Sequence, residues 1–511
     1  MKFRFEGNKT KFFAGTGGLL LSLLAWHLVP GGPSSPEAPG NANMMAAIVA
    51  LMAVWWVFEV VPIAVTSLFP IIFMPAFGIA TVEDVTSNYA NSTIYLFLGG
   101  FMLAMALQES MVHRRIALHV VKIIGSTPSR LILGFMVATG FISMWVSNMA
   151  TVMVIMPIGM SILEEIKNSG GSESLFKKFA AALMLCICYA ADMGGLATLV
   201  GTAPNMIYKQ MVTDIFPDAP PTEFLDWMIM GTPLCIIFIF SGWLLLTRVI
   251  YRFGKEQFLG NTQAVENQIR SLGKIRRDEI FAVSVFGFAV FLWITGSPVG
   301  IGGCTFIGWR EFFGLEPVTD AVVAVSSACL LFLIPSKDRR GEMLMDWKTA
   351  VKVPWGILIL FGGGFAIAAG FESSGLSEII GEQIAGTEIK SPVLMILFIC
   401  LIITFLTEFT SNTALTMLIL PILAKVSVVM GYDPRMLMIP ATLAASCGFM
   451  MPVSSPTHAI IFGSGYLPIR HMIRAGIYFD ILGILLVTII FWIVGPLFMG
   501  IDFSNLPAWA K

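Results

Sequence analysis

The chain contains 511 residues, of which 56% are hydrophobic and only 12% are charged, about half the charged share of a soluble domain. Its 31 Lys and Arg balance 32 Asp and Glu, so it lacks the basic excess of a nucleic-acid-binding protein. The long apolar runs exclude disorder and short alternating membrane strands, and they predict an all-α polytopic membrane protein.

The apolar runs predict about 11 transmembrane helices, because a spanning helix needs roughly 20 mostly apolar residues. The predicted spans lie near 13–29, 44–61, 62–77, 92–112, 179–212, 227–250, 279–297, 319–335, 355–371, 436–464 and 476–499. The first span could instead be a signal peptide, but no A-x-A cleavage site follows it, so we expect a retained helix. Two further apolar stretches, 131–160 and 393–424, carry polar residues in their middle.

The positions of Lys and Arg predict the orientation of the chain in the membrane. With the N-terminus in the cytoplasm and the C-terminus outside, 25 of the 31 Lys and Arg fall in cytoplasmic segments, as the positive-inside rule requires. This orientation requires 131–160 and 393–424 each to enter and leave the bilayer on one side. We therefore predict two re-entrant hairpins, at 129–160 and 392–424, in a protein of the cell (inner) membrane.

Paired sequence blocks indicate an internal repeat. The pairs are 98–101 with 362–365, 141–151 with 405–415, 157–158 with 421–422, and 194–205 with 447–458. The first three pairs are 264 residues apart and the last is 253 residues apart. Because the predicted orientation makes corresponding spans run in opposite directions, this is an inverted-topology repeat, the architecture of secondary transporters, with a channel as the alternative.

The repeat predicts five parts of the chain. They are an N-terminal helix with an outside loop (1–43), a first repeat (44–254), a cytoplasmic linker (255–278), a second repeat (279–499) and a C-terminal tail (500–511). Charged and apolar residues mix in 113–122 and in 372–383, which predicts interfacial helices that link moving hairpins to a scaffold, or else solvated loops.

Sequence motifs argue against an enzyme. No P-loop, GxSxG or HExxH pattern occurs, and the seven cysteines show no CxxC spacing. A membrane enzyme or respiratory subunit would need paired haem ligands, and the five histidines do not pair.

The polar residues inside the hairpins predict a binding site. They are Ser143, Ser147, Asn148 and Thr151 in the first hairpin and Thr407, Thr410, Ser411, Asn412 and Thr413 in the second. Because Ser and Asn favour helix starts, we expect each hairpin to be a helix–turn–helix whose second helix begins near Asn148 or Asn412. These helix N-termini would offer free N–H groups and positive dipole ends to an anion. Apparent helix breaks at 201–205 and 454–458 would free carbonyl oxygens as cation ligands.

Neutral oxygen ligands of this kind favour Na⁺ as the coupling ion. Proton coupling would need a titratable relay and is the alternative. The candidates for such a relay are Glu59, Asp192, Glu408 and His458.

These features resemble the divalent anion:sodium symporter family. The similarity rests on the paired Ser-Asn hairpin tips, on 201–205 and 452–456, and on 346–364 with its Trp-Gly and Phe-Gly-Gly-Gly sequences, and it covers about 44–499. It implies a homodimeric elevator-type transporter that couples Na⁺ to a C4-dicarboxylate such as succinate, malate or fumarate. Na⁺-independent exchange of dicarboxylates or keto acids, and symport of citrate or sulfate, are the alternatives.

The same resemblance implies the site residues. One Na⁺ site would consist of Ser143, Ser147, Asn148 and Gly201, and the other of Thr407, Thr410, Asn412 and Ser454. The substrate would lie at Asn148, Met149, Thr202, Asn412, Thr413 and Pro456.

Two positions depart from the family pattern. Met149 replaces a Thr, which removes a hydroxyl donor from the first tip. His458 replaces the Asn of a Thr-Pro-Pro-Asn segment and could be a packed, hydrogen-bonded residue or could tune charge and pH response. Both departures leave the identity of the anion open.

Overall fold

The computed structural model describes residues 2–31, 41–124, 127–168, 173–254, 261–301, 304–339, 341–376, 379 and 391–510. The α-helices of the first half are Lys2–Leu28, Ala42–Val57, Ile63–Thr66, Phe69–Ala76, Val82–Ser87, Ser92–Glu109, Val112–Ile124, Pro128–Ser143, Asn148–Asn168, Glu173–Gly195, Ala203–Ile215 and Phe224–Leu244. Those of the second half are Asn261–Leu272, Arg277–Ile294, Trp309–Phe312, Asp320–Leu331, Trp347–Ala350, Trp355–Ser373, Pro392–Thr407, Asn412–Val429, Arg435–Ala445, Pro456–Phe462 and Ile469–Phe498.

Short irregular elements accompany these helices. Leu245–Ile250 is a π-helical turn, and Asn88–Ala90 and Ala508–Ala510 are 3₁₀ turns. An antiparallel pair of strands, Val299–Ile301 and Cys304–Phe306, places Val299 opposite Phe306. The sequence analysis did not identify these strands, because three-residue strands are too short to give an alternating pattern.

Helices dominate the fold, and several are long and apolar enough to cross a membrane. Over the described ranges there are seven of these: Val82–Glu109, Asn148–Asn168, Glu173–Gly195, Phe224–Ile250, Trp355–Ser373, Asn412–Val429 and Ile469–Phe498. Six shorter apolar helices accompany them. The chain therefore has the helical membrane-type architecture that its composition predicts, while the count of about 11 crossings stays a prediction.

Three of the predicted spans are divided in the structure. The span near 62–77 becomes Ile63–Thr66 and Phe69–Ala76. The spans near 179–212 and 436–464 are interrupted by non-helical segments, which we name break 1 (196–202) and break 2 (446–455). Each break ends where a Pro occupies the first or second position of the next helix, as Pro commonly does.

Both predicted hairpins have the helix–turn–helix form. Hairpin 1 consists of Pro128–Ser143 and Asn148–Asn168, and hairpin 2 consists of Pro392–Thr407 and Asn412–Val429. Four-residue turns connect the two helices in each case. The second helices begin at Asn148 and Asn412, as the sequence predicts.

The helix Glu173–Gly195 lies at the centre of the packing. Every residue from Phe179 to Gly195 is buried. A Cβ built on Gly194 would lie 2.3 Å from the carbonyl oxygen of Gly140, so this helix touches hairpin 1 backbone to backbone. Small residues allow such close approach between helices.

The first predicted connector is a helix, Val112–Ile124, rather than a solvated loop. One face buries apolar side chains, while Arg115 binds Glu279 over 2.6 Å and donates to the carbonyl of Gly273. This contact ties the connector to the start of the second repeat. Half of the second predicted connector, 372–383, lies outside the described residues. The loop at 32–39 and residues 255–260 of the linker lie outside them entirely.

Candidate functional site

The turns of the two hairpins are built in the same way. In hairpin 1, Ser143 Oγ donates to Asn148 Oδ1 over 2.9 Å. In hairpin 2, Thr407 Oγ1 lies 2.6 Å from the side-chain amide of Asn412, within hydrogen-bond distance. The hydroxyl ends the first helix and the Asn begins the second, and the two pairs are 264 residues apart. The correspondence found between sequence blocks therefore extends to side-chain contacts.

Asn205 holds break 1 in its non-helical form. Its Nδ2 donates to the carbonyls of Gly195 over 2.9 Å and Thr198 over 2.7 Å. Gly201 lies against the same turn, since a Cβ on it would be 2.6 Å from the Gly195 carbonyl oxygen. These bonds satisfy backbone carbonyls that lost their helical partners at the break.

Break 2 is held by corresponding contacts from different residue types. Ser454 Oγ donates to the carbonyl of Gly448 over 3.2 Å, and His458 Nδ1 lies 3.1 Å from the carbonyl of Met451. Gly448, Met451 and His458 follow the equivalent break 1 residues by 253 positions. His458 is thus packed and hydrogen-bonded, and it does for break 2 what Asn205 does for break 1.

Asp192 joins hairpin 1 to the helix Pro456–Phe462, which follows break 2. Its Oδ1 accepts from Asn148 Nδ2 over 2.9 Å, and its Oδ2 lies 2.9 Å from His458 Nε2. The hydroxyl of Thr457 lies 3.4 Å from both carboxylate oxygens. Asp192 is 2% exposed, so this link between the two repeats is buried.

Hairpin 2 is docked on break 2 by two side chains of its turn region. The Glu408 carboxylate accepts from the backbone N–H groups of Met450 over 2.8 Å and Met451 over 2.7 Å. Thr407 Oγ1 also donates to the carbonyl of Ala445 over 2.8 Å. Two helix ends and two breaks therefore share one connected set of contacts.

The first predicted cation group is brought together by the structure. Asn148 contacts Ser143 directly, and Asn148 Oδ1 would lie 2.5 Å from a Cβ on Gly195, the residue that supports Gly201. Ser147 lies in the same turn and accepts the amide of Thr151 through its carbonyl.

The structure also brings Thr407, Thr410 and Asn412 of the second predicted cation group together, but the backbone carbonyl next to them is not the predicted one. Thr407 and Asn412 are in contact, and the hydroxyl of Thr410 is buried without a hydrogen-bond partner in the described chain. Ser454 bonds within break 2, while the backbone carbonyl that contacts Thr407 belongs to Ala445. The sequence analysis did not identify Ala445, because a contact made by a backbone carbonyl leaves no side-chain signal in a sequence.

The predicted substrate residues line the ends of helices. Thr202 and Pro456 stand where helices restart after break 1 and break 2. Met149 is 46% exposed at the start of the second helix of hairpin 1, and Thr413 occupies the corresponding place in hairpin 2. None of the predicted site residues is Lys or Arg.

Comparisons with known proteins give a family and a fold. The family model for the sodium:sulfate symporter transmembrane region matches residues 19–499. The sodium-dependent dicarboxylate transporter SdcS of Staphylococcus saprophyticus is 39% identical over 468 residues, which are 90% of this chain and 87% of that protein. SdcS of Staphylococcus aureus strain NCTC 8325 is 39% identical over 495 residues, 95% of this chain and 91% of that protein.

Two solved transporter structures share the fold. The YdaH transporter of Alcanivorax borkumensis has a TM-score of 0.54 at 14% identity, covering 81% of this chain and 87% of its own. MtrF of Neisseria gonorrhoeae has a TM-score of 0.58 at 14% identity, covering 83% of this chain and 86% of its own. At this identity the likeness concerns the fold alone.

Proposed function

Because the chain belongs to the sodium:sulfate symporter family, we propose that it is a secondary active transporter that couples Na⁺ to the uptake of a divalent organic anion. Its relatives at 39% identity are sodium-dependent dicarboxylate transporters, which supports a C4-dicarboxylate such as succinate, malate or fumarate as the substrate. The observation that carries the proposal is the repeated hydroxyl–Asn pair at two helix starts, both connected to helix breaks.

The two predicted cation groups supply the Na⁺ ligands in this proposal. Ser143, Ser147, Asn148 and the Gly201 backbone form the first, and Thr407, Thr410, Asn412 and the backbone of break 2 near Ser454 form the second. The hydroxyl oxygen and the side-chain amide of each hairpin lie 2.6–2.9 Å apart, so one small cation can touch both groups. Unwound backbone carbonyls are established Na⁺ ligands in transporters with broken helices.

Helix ends and co-bound cations offset the negative charge of the substrate. The first turn of a helix leaves backbone N–H groups unpaired and carries about half a positive charge. The helix starts at Asn148, Asn412 and Pro456, with Thr202 nearby, supply such donors. This arrangement explains how an anion site can dispense with Lys and Arg.

The transport cycle that we propose is an elevator movement within a homodimer. The hairpins and breaks would move as one unit, since Asp192, Glu408 and Thr407 join them. The protein would lie in the cell (inner) membrane with its N-terminus in the cytoplasm and its C-terminus outside. The two repeats, 44–254 and 279–499, would bear opposite orientations, with 1–43, 255–278 and 500–511 as flanking and linking parts.

Uptake of labelled succinate into proteoliposomes tests the function. We expect uptake into vesicles without internal substrate, and we expect it to require an inward Na⁺ gradient. Equal uptake with and without Na⁺ would contradict symport. A requirement for internal dicarboxylate would favour exchange, and stronger inhibition by citrate or sulfate than by malate would change the substrate assignment.

Substitution of the two asparagines tests the site. We expect Asn148→Ala and Asn412→Ala each to lower Na⁺-dependent uptake at least tenfold, because each substitution removes a polar ligand of the bound Na⁺, and a polar contact to a charged group is worth about 1.5–3 kcal/mol. Asn505→Ala, in the C-terminal tail, is the matched control with normal uptake. Normal transport by either hairpin variant, at equal expression, would show that the site is misplaced.

A further inference from the structure

Three side chains of different chemistry meet inside the protein, next to the proposed transport site. Cys188 and Asp192 are four positions apart in the helix Glu173–Gly195, so their side chains share one face of it. His458 comes from the helix Pro456–Phe462 of the second repeat. The thiol sulfur, a carboxylate oxygen and an imidazole nitrogen of these residues all lie within 4.8 Å of one another. We name Cys188, Asp192 and His458 the buried cluster.

Neighbouring groups fix the orientation of two members of the buried cluster. His458 Nδ1 lies 2.8 Å from Ser454 Oγ and 3.1 Å from the carbonyl oxygen of Met451. Asp192 Oδ1 accepts from Asn148 Nδ2 over 2.9 Å. Imidazoles and carboxylates that bind metals characteristically have such partners, because the second hydrogen bond aims the ligand atom at the metal. His458 Nε2 and Asp192 Oδ2 are left to face each other.

The contact between His458 and Asp192 requires a positive charge between the two side chains. A carbonyl oxygen only accepts hydrogen bonds, so the position of the Met451 carbonyl assigns one imidazole proton to Nδ1. In the neutral ring Nε2 then carries a lone pair, and it lies 2.9 Å from Asp192 Oδ2, which only accepts when it is ionised. Two acceptors at this distance repel each other unless a proton or a metal ion lies between them.

Cys188 distinguishes a metal ion from a proton. A shared proton satisfies His458 and Asp192 but makes no use of the thiol. A thiolate, an imidazole and a carboxylate are all ligands of Zn²⁺, whereas Mg²⁺ and Ca²⁺ prefer oxygen ligands alone. The hydroxyl of Thr457 lies 3.4 Å from both carboxylate oxygens of Asp192, so a neutral fourth ligand is also present.

The turn of hairpin 1 gives a cation a route to the buried cluster. Cys188 and His458 are 0% exposed and Asp192 is 2% exposed, so the cluster itself has no open surface. Asn148, which bonds to Asp192, is half-buried in the turn, and the neighbouring Met149 is exposed. A cation that enters at this turn therefore meets the Asn148 amide first and the Asp192 carboxylate next.

We propose that Cys188, Asp192 and His458 bind one Zn²⁺ ion, with the Thr457 hydroxyl as the fourth ligand. The ion replaces the proton between His458 and Asp192 and the proton of the thiol, and both protons leave to solvent. Ligand atoms of a tetrahedral Zn²⁺ lie about 3.3–3.5 Å apart, so the 2.9 Å contact opens slightly while the thiol moves toward it. Because His458 belongs to the second repeat and the other two residues to the first, the ion joins the two repeats.

The absorption of bound Co²⁺ tests the site, because Co²⁺ occupies Zn²⁺ sites and gives an intense near-ultraviolet band when a thiolate binds it. The purified full-length protein is used with Cys304→Ser and Cys329→Ser, which leaves the five buried cysteines. We expect one equivalent of Co²⁺ per chain to give the band and one equivalent of Zn²⁺ to abolish it.

Cys188→Ser should lose the band and should weaken Zn²⁺ binding, measured by calorimetry, at least tenfold. The matched control is Cys186→Ser, which should keep both. Cys186 is equally buried in the same helix, but its thiol bonds to the carbonyl of Leu183. His458→Asn should also weaken Zn²⁺ binding at least tenfold, and it keeps the residue type that holds break 1, so its fold can be checked by gel filtration.

Binding of neither Co²⁺ nor Zn²⁺ by the native protein would show that only a proton lies between His458 and Asp192 and would overturn the inference. A band that persists in Cys188→Ser, or that disappears in Cys186→Ser, would place the metal elsewhere and would overturn it as well. Unchanged Zn²⁺ binding by His458→Asn would have the same consequence. These measurements need no transport, so their failure leaves the proposed Na⁺ symport in place, and failure of succinate uptake leaves the metal site in place.

Discussion

Thr410 is the proposed cation ligand whose role can be tested most directly from its contacts. Its hydroxyl is buried in the turn of hairpin 2 and has no hydrogen-bond partner among the described residues. Burying a polar group without a hydrogen-bond partner costs about 1–3 kcal/mol of folding free energy, so a group left in this state usually has a functional role. A Na⁺ ion bound next to Thr407 and Asn412 would give this hydroxyl a partner.

The Thr410→Val substitution therefore distinguishes a hydroxyl that binds a cation from one that does not. We expect the Na⁺ concentration for half-maximal uptake to rise about tenfold, while thermal stability without Na⁺ stays equal or increases because the unpaired group is gone. Transport assays over a Na⁺ series and a melting curve of the same preparation measure both quantities.

The control for this prediction is Thr139→Val. Thr139 also has a buried hydroxyl without a partner in the described chain, but it lies in the first helix of hairpin 1, away from the turn. We expect the Na⁺ dependence of uptake by Thr139→Val to match that of the native protein. A native Na⁺ dependence in Thr410→Val would remove this residue from the cation site.

Residue types at the hairpin turns could be identified from the sequence, because Ser143, Asn148, Thr407 and Asn412 recur in matching blocks. Their pairing within each turn followed from the structure alone. Asp192 was recognisable as a charged residue in an apolar run. Nothing in the sequence indicates that its carboxylate accepts a hydrogen bond from the amide of Asn148, 44 positions away.

At the scale of elements, close helix packing depends on glycine. Gly194 lies against the backbone of Gly140, so any side chain at position 194 would displace hairpin 1 from the helix Glu173–Gly195. We expect Gly194→Ala to destabilise the protein by about 1–3 kcal/mol or more through overpacking, and to reduce uptake, because the same helix carries Asp192. Melting temperature and initial uptake rate measure the two effects.

The control for the glycine prediction is Gly287→Ala in the helix Arg277–Ile294. No atom lies within 4 Å of a Cβ built on Gly287, so Ala should be accepted there and should favour the helix by up to about 1 kcal/mol. An equal melting temperature for Gly194→Ala and the native protein would contradict the close packing.

Element type was largely predictable from apolar length, but element ends were not. The runs 179–212 and 436–464 stay apolar through break 1 and break 2, so hydropathy alone joins helices that the backbone separates. Gly and Pro marked where the breaks would fall, since Pro204 and Pro456 begin the next helices. The strand pair near 300 gave no comparable signal.

At the scale of the whole molecule, the two repeats are joined through the site itself. His458 reaches Asp192 across the repeats, and the hydroxyl of Tyr189 donates to the carbonyl of Phe449 over 2.7 Å. The repeat was recognisable from sequence spacing, but a repeat does not determine which of its surfaces meet. The contacts indicate that hairpins and breaks behave as one unit, which agrees with the proposed elevator movement.

That movement can be tested where hairpin 1 meets the helix Arg277–Ile294. The ring of Trp145, in the turn of hairpin 1, packs edge-on against Phe286 with centroids 5.7 Å apart. If the hairpin unit slides along this helix, the contact must break in every cycle. Cysteines at both positions, in a protein without its seven native cysteines, can be joined by a short, reducible bis-thiosulfonate cross-linker that spans the space of the two rings and prevents sliding.

We expect the Trp145→Cys, Phe286→Cys double variant to lose Na⁺-dependent succinate uptake after cross-linking and to recover it after reduction of the linker, because a covalent link fixes the unit in one position. Each single variant, treated with the same reagent, should keep its uptake and so control for modification by the reagent. If the double variant is fully cross-linked by mass spectrometry and still transports at its reduced rate, hairpin 1 does not move relative to this helix. Since hairpin 1 carries half of the proposed site, substrate would then have to cross by a movement confined to the remaining elements.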